Sequence, residues 1–126
     1  MPYLTDSDVL IDLSRGNPAA RKYIDALPEG WAISQISALE LIVGARDNRD
    51  LADIDTFLSA FTIVPLGNSI GARAYQLVKR YTKSHGLHVF DSLIAATAIE
   101  EGLTLVTRNR KHFGMIQGLA LAVPQY

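Results

Sequence analysis

The chain has 126 residues, 48% of them hydrophobic, and this length and composition predict a single globular domain spanning residues 1–126. Its formal net charge of −1 excludes a nucleic-acid-binding surface over the whole molecule, so a polyanion would need a local basic patch. The absence of cysteine excludes disulfides and thiolate metal sites. With no signal peptide and no apolar run of about 18 residues, we expect a cytoplasmic protein free of the membrane.

The apolar pattern alternates along the chain between short strand-like runs and helical periodicity. In chain order the pattern predicts a strand at 2–5, helices at 7–14 and 17–27, a strand at 31–34, helices at 36–45 and 50–61, a strand at 62–66, helices at 69–84 and 90–101, a strand at 103–107, a helical turn near 109–116 and a last strand at 119–123. Strands that alternate with helices favour a parallel or mostly parallel sheet with helices on both faces.

Two polar residues come at the ends of predicted strands. Asp6 directly follows the first strand, and Asn109 closely follows the strand at 103–107. Ligands of such sheets bind beyond the carboxyl ends of the strands. We therefore expect both residues on one rim of the sheet.

Three acids lie in segments that otherwise have the composition of buried structure. Asp6 ends an apolar run, Glu40 is the only charged residue between positions 35 and 45, and Asp91 is the only one between positions 87 and 99. Each also has a structural explanation: Asp91 could cap its helix, Glu40 could be a satisfied buried acid, although no local partner is obvious in the sequence, and Asp6 could be structural. Asp8, in a first helical turn, could interact with the helix dipole.

Several carboxylates on one rim repel one another unless a cation joins them. Oxygen ligands without cysteine indicate a hard ion, Mg²⁺ with Mn²⁺ as a substitute. Such a site normally polarises a phosphate oxygen and activates water, which makes phosphodiester hydrolysis the expected chemistry.

The segments LTDSDVLIDL, ISALELIVGA and FDSLIAATAIEEGLTLVTRNRKHF resemble the PIN domain, and more narrowly the VapC-type toxins of prokaryotic toxin–antitoxin pairs. The resemblance implies a three-layer α/β/α sandwich around a mostly parallel sheet. It also implies a Mg²⁺-dependent endoribonuclease that is usually a homodimer and is inhibited by a VapB-type antitoxin. Direct DNA binding is not expected, because the chain has no DNA-binding motif.

The same resemblance places Asp6, Glu40 and Asp91 on the metal-binding acids of the family. Asn109 stands where the family commonly has a fourth acid, so it brings a neutral amide to the catalytic group, and Asp8 makes up some of that charge. Ser7 matches a position that helps orient the site, and His112 one where relatives often have Asp, Glu or His. Arg108, Arg110 and Lys111 are candidate RNA contacts beside the rim.

The sequence leaves two alternatives to a metal-dependent nuclease. A haloacid-dehalogenase-like phosphatase would use Asp6 as nucleophile and Asp8 as acid/base, but it leaves Glu40 unexplained and lacks an acidic pair after the strand at 103–107. A non-catalytic PIN-like module would bind RNA or protein only, and Asn109 is the argument in its favour.

Overall fold

A computed structural model describes residues 2–126 of the chain. The strands in this part of the chain are β1 (Tyr3–Thr5), β2 (Trp31–Ser34), β3 (Thr62–Val64), β4 (Thr104–Val106) and β5 (Leu121–Ala122). The helices are α1 (Ser7–Ser14), α2 (Pro18–Asp25), α3 (Gln35–Val43), α4 (Asn48–Leu58), α5 (Asn68–His85), α6 (Val89–Glu101) and α7 (Arg110–Phe113). The strands form one sheet in the order β3-β2-β1-β4-β5, and every neighbouring pair is parallel.

Alternate strand residues face opposite sides of the sheet and bury two sets of helices. Leu4 and Leu105 pack with α5 and α6 on one side. On the other side Ile33 packs with α1, α3 and α4, and Val106 with α1 and α2. The expected three-layer α/β/α sandwich with a parallel sheet is therefore confirmed.

The predicted elements occur in the predicted order, but several ends differ. β3 stops at Val64, before Pro65, because proline has no N–H to donate to a neighbouring strand. β5 has two residues, Leu121 and Ala122, where the apolar pattern predicts five. α4 begins at Asn48, earlier than predicted, because the side chain of Asp47 accepts a hydrogen bond from the amide of Asp50 and caps the helix.

The strand order places the carboxyl ends of β1 and β4 side by side. The chain runs from β1 to β2 on one side of β1, whereas β4 lies on its other side, so the sheet has a switch point there. Thr5 pairs with Val106, and the amide of Asp6 donates to the Val106 carbonyl over 2.8 Å. Asp6 and Thr107 consequently leave their strands next to each other.

None of the helices within residues 2–126 combines the length and apolar character needed to cross a bilayer.

Candidate active site

Asp6 is held in one orientation by hydrogen bonds to both carboxylate oxygens. Oδ1 accepts from the Ser7 amide over 2.7 Å, and Oδ2 accepts from the Thr107 hydroxyl over 2.7 Å. The side chain caps the N-terminus of α1, and the residue is only 5% exposed. A carboxylate at a helix N-terminus meets the positive end of the helix dipole, which favours its charged form. Asp6 therefore has a structural role as a cap and still lies at the carboxyl rim.

Glu40 is connected to α1 through hydroxyl groups. The Ser7 oxygen lies 3.0 Å from Oε1 of Glu40 and 2.9 Å from the oxygen of Ser37, which is fully buried. The Ser7 hydroxyl is the donor in both contacts, so its single proton is shared between the Glu40 carboxylate and the Ser37 oxygen. The pair of serines fixes Glu40 relative to Asp6.

Asp91 lies in the first turn of α6 and contacts α7. Its Oδ2 is 3.2 Å from Nδ1 of His112, and the same nitrogen is 3.2 Å from Nδ2 of Asn109. A protonated Nδ1 donates to Asp91, whereas an unprotonated Nδ1 accepts from the Asn109 amide. The backbone amide of Asn109 donates to the Thr107 hydroxyl over 3.0 Å. Thr107 thus links Asn109 to Asp6.

Asp8 accepts hydrogen bonds from two backbone amides, those of Val9 and Arg108, over 2.7 and 3.0 Å. The Arg108 side chain turns to Asp12, whose Oδ2 is 3.0 Å from Nη1, and its guanidinium centre lies 4.6 Å from the centre of the Tyr126 ring. The Tyr126 hydroxyl also donates to Asp12 over 3.0 Å. The Arg108 backbone amide therefore holds Asp8 at the rim, whereas its side chain contacts Asp12 of α1 and Tyr126.

The acids affect one another's ionisation. Burial, followed by repulsion from Asp8, raises the pKa of Asp6 from 3.8 to about 7, although the hydrogen bonds from Thr107 and Ser7 oppose the shift; Asp91 adds a smaller repulsion. Burial also raises the pKa of Asp8 and of Glu40. A bound cation would offset the free-energy cost of ionising these buried acids, because it favours the charged form of every carboxylate around it.

One cleft of about 360 Å³ collects these side chains at the carboxyl rim. Its walls include the predicted site residues Asp6, Ser7, Asp8, Glu40, Asp91, Asn109 and His112, together with Ile11, His88, Phe90 and Ile94. Arg108 is not part of this lining, and Arg110 and Lys111 lie exposed on α7 beside it. The structure thus brings all the predicted acids to one cavity.

The donor set fits a hard divalent cation, since carboxylate and amide oxygens line the cleft. Within residues 2–126 no three of the acidic or histidine side chains stand close enough together to enclose a metal ion as they are. Glu40 is engaged by Ser7, and Asp91 by His112.

Sequence reasoning missed Thr107 and Ser37, which hold Asp6 and Ser7. Thr107 closely precedes Asn109 after a strand, which is the signal that could have revealed it. Ser37 looks like an ordinary helix residue in sequence, and only its burial beside Ser7 distinguishes it. His88 and Phe90 were also not identified as cleft residues.

The PIN domain family model matches residues 3–116 of this chain. Ribonuclease VapC10 of Mycobacterium tuberculosis is 40% identical, with 96% of this chain and 94% of that protein covered. Among solved structures, a toxin-antitoxin complex from Klebsiella pneumoniae has a chain that is 33% identical, with 98% of both chains covered and a TM-score of 0.82. A chain of VapBC2 from Rickettsia felis, bound to a DNA fragment from their promoter, is 26% identical over 98% of both chains, with a TM-score of 0.84. This chain therefore belongs to the PIN domain family and, within it, to the VapC type.

Proposed function

We propose that this chain is a Mg²⁺-dependent endoribonuclease and the toxin of a type II toxin–antitoxin pair, acting in the cytoplasm. The observation that carries the proposal is that Asp6, Glu40 and Asp91 all line one cleft at the carboxyl rim. The similarity to proteins named VapC ribonucleases supports an RNA substrate. The phosphatase alternative has no remaining support, because it does not explain Glu40 and the chain belongs to the PIN domain family.

Asp6, Glu40 and Asp91 would hold the metal, and Asn109 would add a neutral amide oxygen. When bound, Mg²⁺ or Mn²⁺ polarises a phosphate oxygen and makes a water molecule more acidic. Thr107 and Ser7 fix the orientation of Asp6 and Glu40, so the acids need not be ordered when RNA arrives. Asp8 keeps additional negative charge beside Asp6.

Arg110 and Lys111 would guide the RNA backbone toward this acidic cleft. Both are exposed on α7, next to Asn109. Their charges offset the repulsion between the acids and the phosphates, and this attraction weakens as salt rises. Arg108 contributes less directly, because its guanidinium already contacts Asp12 and Tyr126.

A VapB-type antitoxin and a second copy of this chain are the proposed protein partners. A groove of about 600 Å³ runs between α1, α3 and α4 and shares Glu40 with the cleft. An antitoxin segment in this groove would reach the active site. Leu39 and Val43, one turn apart on α3, are exposed apolar residues that a homodimer contact would cover.

The test is cleavage of total RNA by the antitoxin-free protein in Mg²⁺, with and without EDTA, followed by sequencing of new 5′ ends. We expect discrete ends that disappear with EDTA and in the variants Asp6→Asn and Asp91→Asn. Asp25→Asn removes an exposed acid of α2 outside the cleft and should cleave like the wild type. Cleavage that survives EDTA, or that survives both cleft substitutions, contradicts the proposal.

A non-catalytic PIN-like module that binds RNA or protein is the second candidate. It is favoured by Asn109 in the place of a fourth acid and by the separation of the acids in the described residues. A folded protein that binds Mn²⁺ and RNA but yields no new 5′ ends would establish this candidate instead.

A further inference from the structure

Phe90 is a large apolar side chain exposed inside the acidic cleft. It directly precedes Asp91 in α6, lines the same cavity as Asp6 and Glu40, and is 55% exposed. Across residues 2–126 it joins none of the hydrophobic clusters that form the core. The fold therefore does not require a phenyl ring at this position.

The surroundings of Phe90 suit a flat ligand with a charged backbone. His88 and Ile94 line the same cleft as Phe90 and the carboxylates. Phe90 and Asp91 line the same cavity, so a ligand held at Asp91 lies within reach of the exposed ring. In a nucleic acid, each backbone phosphate is flanked by the bases of the adjoining nucleotides.

We propose that Phe90 stacks on the unpaired RNA base next to the bond that is cut. This inference rests on the proposed endoribonuclease function and extends it to the choice of substrate. A base in a duplex has both faces covered, so the contact selects single-stranded segments. Every base has a π face, so the contact tolerates different sequences, and the larger purines gain more from it.

An RNA base fits this position better than an anchor residue of a protein partner. An apolar anchor binds best in a desolvated apolar pocket, whereas Phe90 shares its cavity with four carboxylates and an amide. RNA brings a base and a phosphate together, and the cleft offers a ring beside a candidate cation site.

Binding of short probes tests the stacking directly. The probes are fluorescein-labelled single-stranded oligoadenylate, oligouridylate and an abasic ribose–phosphate chain, each of eight nucleotides, with Ca²⁺ in place of Mg²⁺ and RNA integrity checked on a gel. Stacking is worth about 1–3 kcal/mol per base, so Phe90→Ala should weaken oligoadenylate binding roughly 5- to 160-fold. Binding of the abasic chain should change less than about twofold.

Further variants separate stacking from simple apolar contact. Phe90→Trp keeps a π face and should restore oligoadenylate binding, whereas Phe90→Leu keeps apolar bulk and should not. Tyr75→Ala is the matched control. Tyr75 is 57% exposed, but it belongs to α5 and lines the groove between α5 and α6, outside the cleft. It should bind all three probes like the wild type.

Cleavage kinetics supply a second readout. Stacking stabilises the bound substrate and the transition state equally. Phe90→Ala should therefore raise KM and leave kcat at saturating RNA nearly unchanged. Oligoadenylate affinity that Phe90→Ala does not reduce overturns the inference, as does an equal loss for the abasic chain or full rescue by Phe90→Leu. If cleavage is sensitive to EDTA, any of these results contradicts the stacking inference alone and not the proposed nuclease function. Cleavage that is insensitive to EDTA contradicts the proposed function itself.

Discussion

The Thr107 hydroxyl donates a 2.7 Å hydrogen bond to Oδ2 of Asp6, a residue 101 positions away in the chain. The pairing of β1 with β4 brings the two together, because both strands end at the Thr5–Val106 pair and Asp6 and Thr107 follow directly. The same hydroxyl accepts from the Asn109 amide over 3.0 Å. Thr107 therefore positions two of the predicted site residues without lining the cleft itself.

Thr107→Val should weaken Mn²⁺ binding about tenfold, because valine keeps the shape of threonine and removes the group that orients Asp6. Isothermal titration of the metal-free protein with Mn²⁺ measures the change. Thr107→Ser retains the hydroxyl and should bind Mn²⁺ within about twofold of the wild type. Equal Mn²⁺ affinity for Thr107→Val and the wild type would contradict the positioning role.

Asp6→Asn should stabilise the metal-free protein at pH 8. The folded-state pKa of Asp6 is raised from 3.8 to about 7, so the folded chain binds more protons than the unfolded chain between these values. The free energy of unfolding therefore falls as pH rises through this window. Asparagine is also a good helix N-cap, so the cap of α1 is kept.

We expect a rise in Tm of roughly 4–8 °C at pH 8 in EDTA, which corresponds to about 1–2 kcal/mol, and a smaller rise at pH 5. Thermal melts followed by circular dichroism measure both. Mg²⁺ should raise the Tm of the wild type more than that of the variant, because it binds the folded carboxylates. A variant less stable than the wild type at pH 8 would show that Asp6 is not destabilising when ionised.

Asn109→Asp should increase the amount of Mn²⁺ bound in the absence of RNA. The substitution adds a carboxylate to a cleft that already contains Asp6, Glu40 and Asp91. Electron paramagnetic resonance of free Mn²⁺ during a titration gives both stoichiometry and affinity. Asn109→Ala serves as the control, since it removes the amide without adding charge and should bind no more Mn²⁺ than the wild type. Unchanged Mn²⁺ binding by Asn109→Asp would place residue 109 outside the metal site.

Arg110→Gln and Lys111→Gln should each weaken RNA binding and make it less sensitive to salt. For single-stranded nucleic acid, each lost phosphate contact lowers the slope of log affinity against log salt by about 0.7. Fluorescence anisotropy of the oligouridylate probe at several KCl concentrations measures the slope. Lys22→Gln changes a cation of α2 on another part of the molecule and should leave it unaltered. If the salt slopes of both variants equal that of the wild type, Arg110 and Lys111 do not contact the RNA backbone.

The order and type of the elements can be predicted from the sequence, because hydrophobic periodicity and the residues that end helices are local signals. The sequence also indicated the rim: an acid directly after the first strand and an amide closely after the fourth lie on the same rim if the sheet is parallel. Glu40 and Asp91 stood out because each is a lone charge in an apolar helix. Strand ends were less predictable, as β5 shows, since they depend on which neighbour is available for pairing.

The groups that hold those acids, and the side chains that share their cavity, are set by contacts between distant segments of the chain. Thr107 meets Asp6, Ser37 meets Ser7, and Tyr126 covers Arg108 through register and helix packing between segments far apart in the chain. No local pattern encodes such contacts, because their residues are ordinary in their own segments. Phe90 is the clearest case: in sequence it resembles a core residue, and the packing of α6 instead leaves its ring exposed beside the acids.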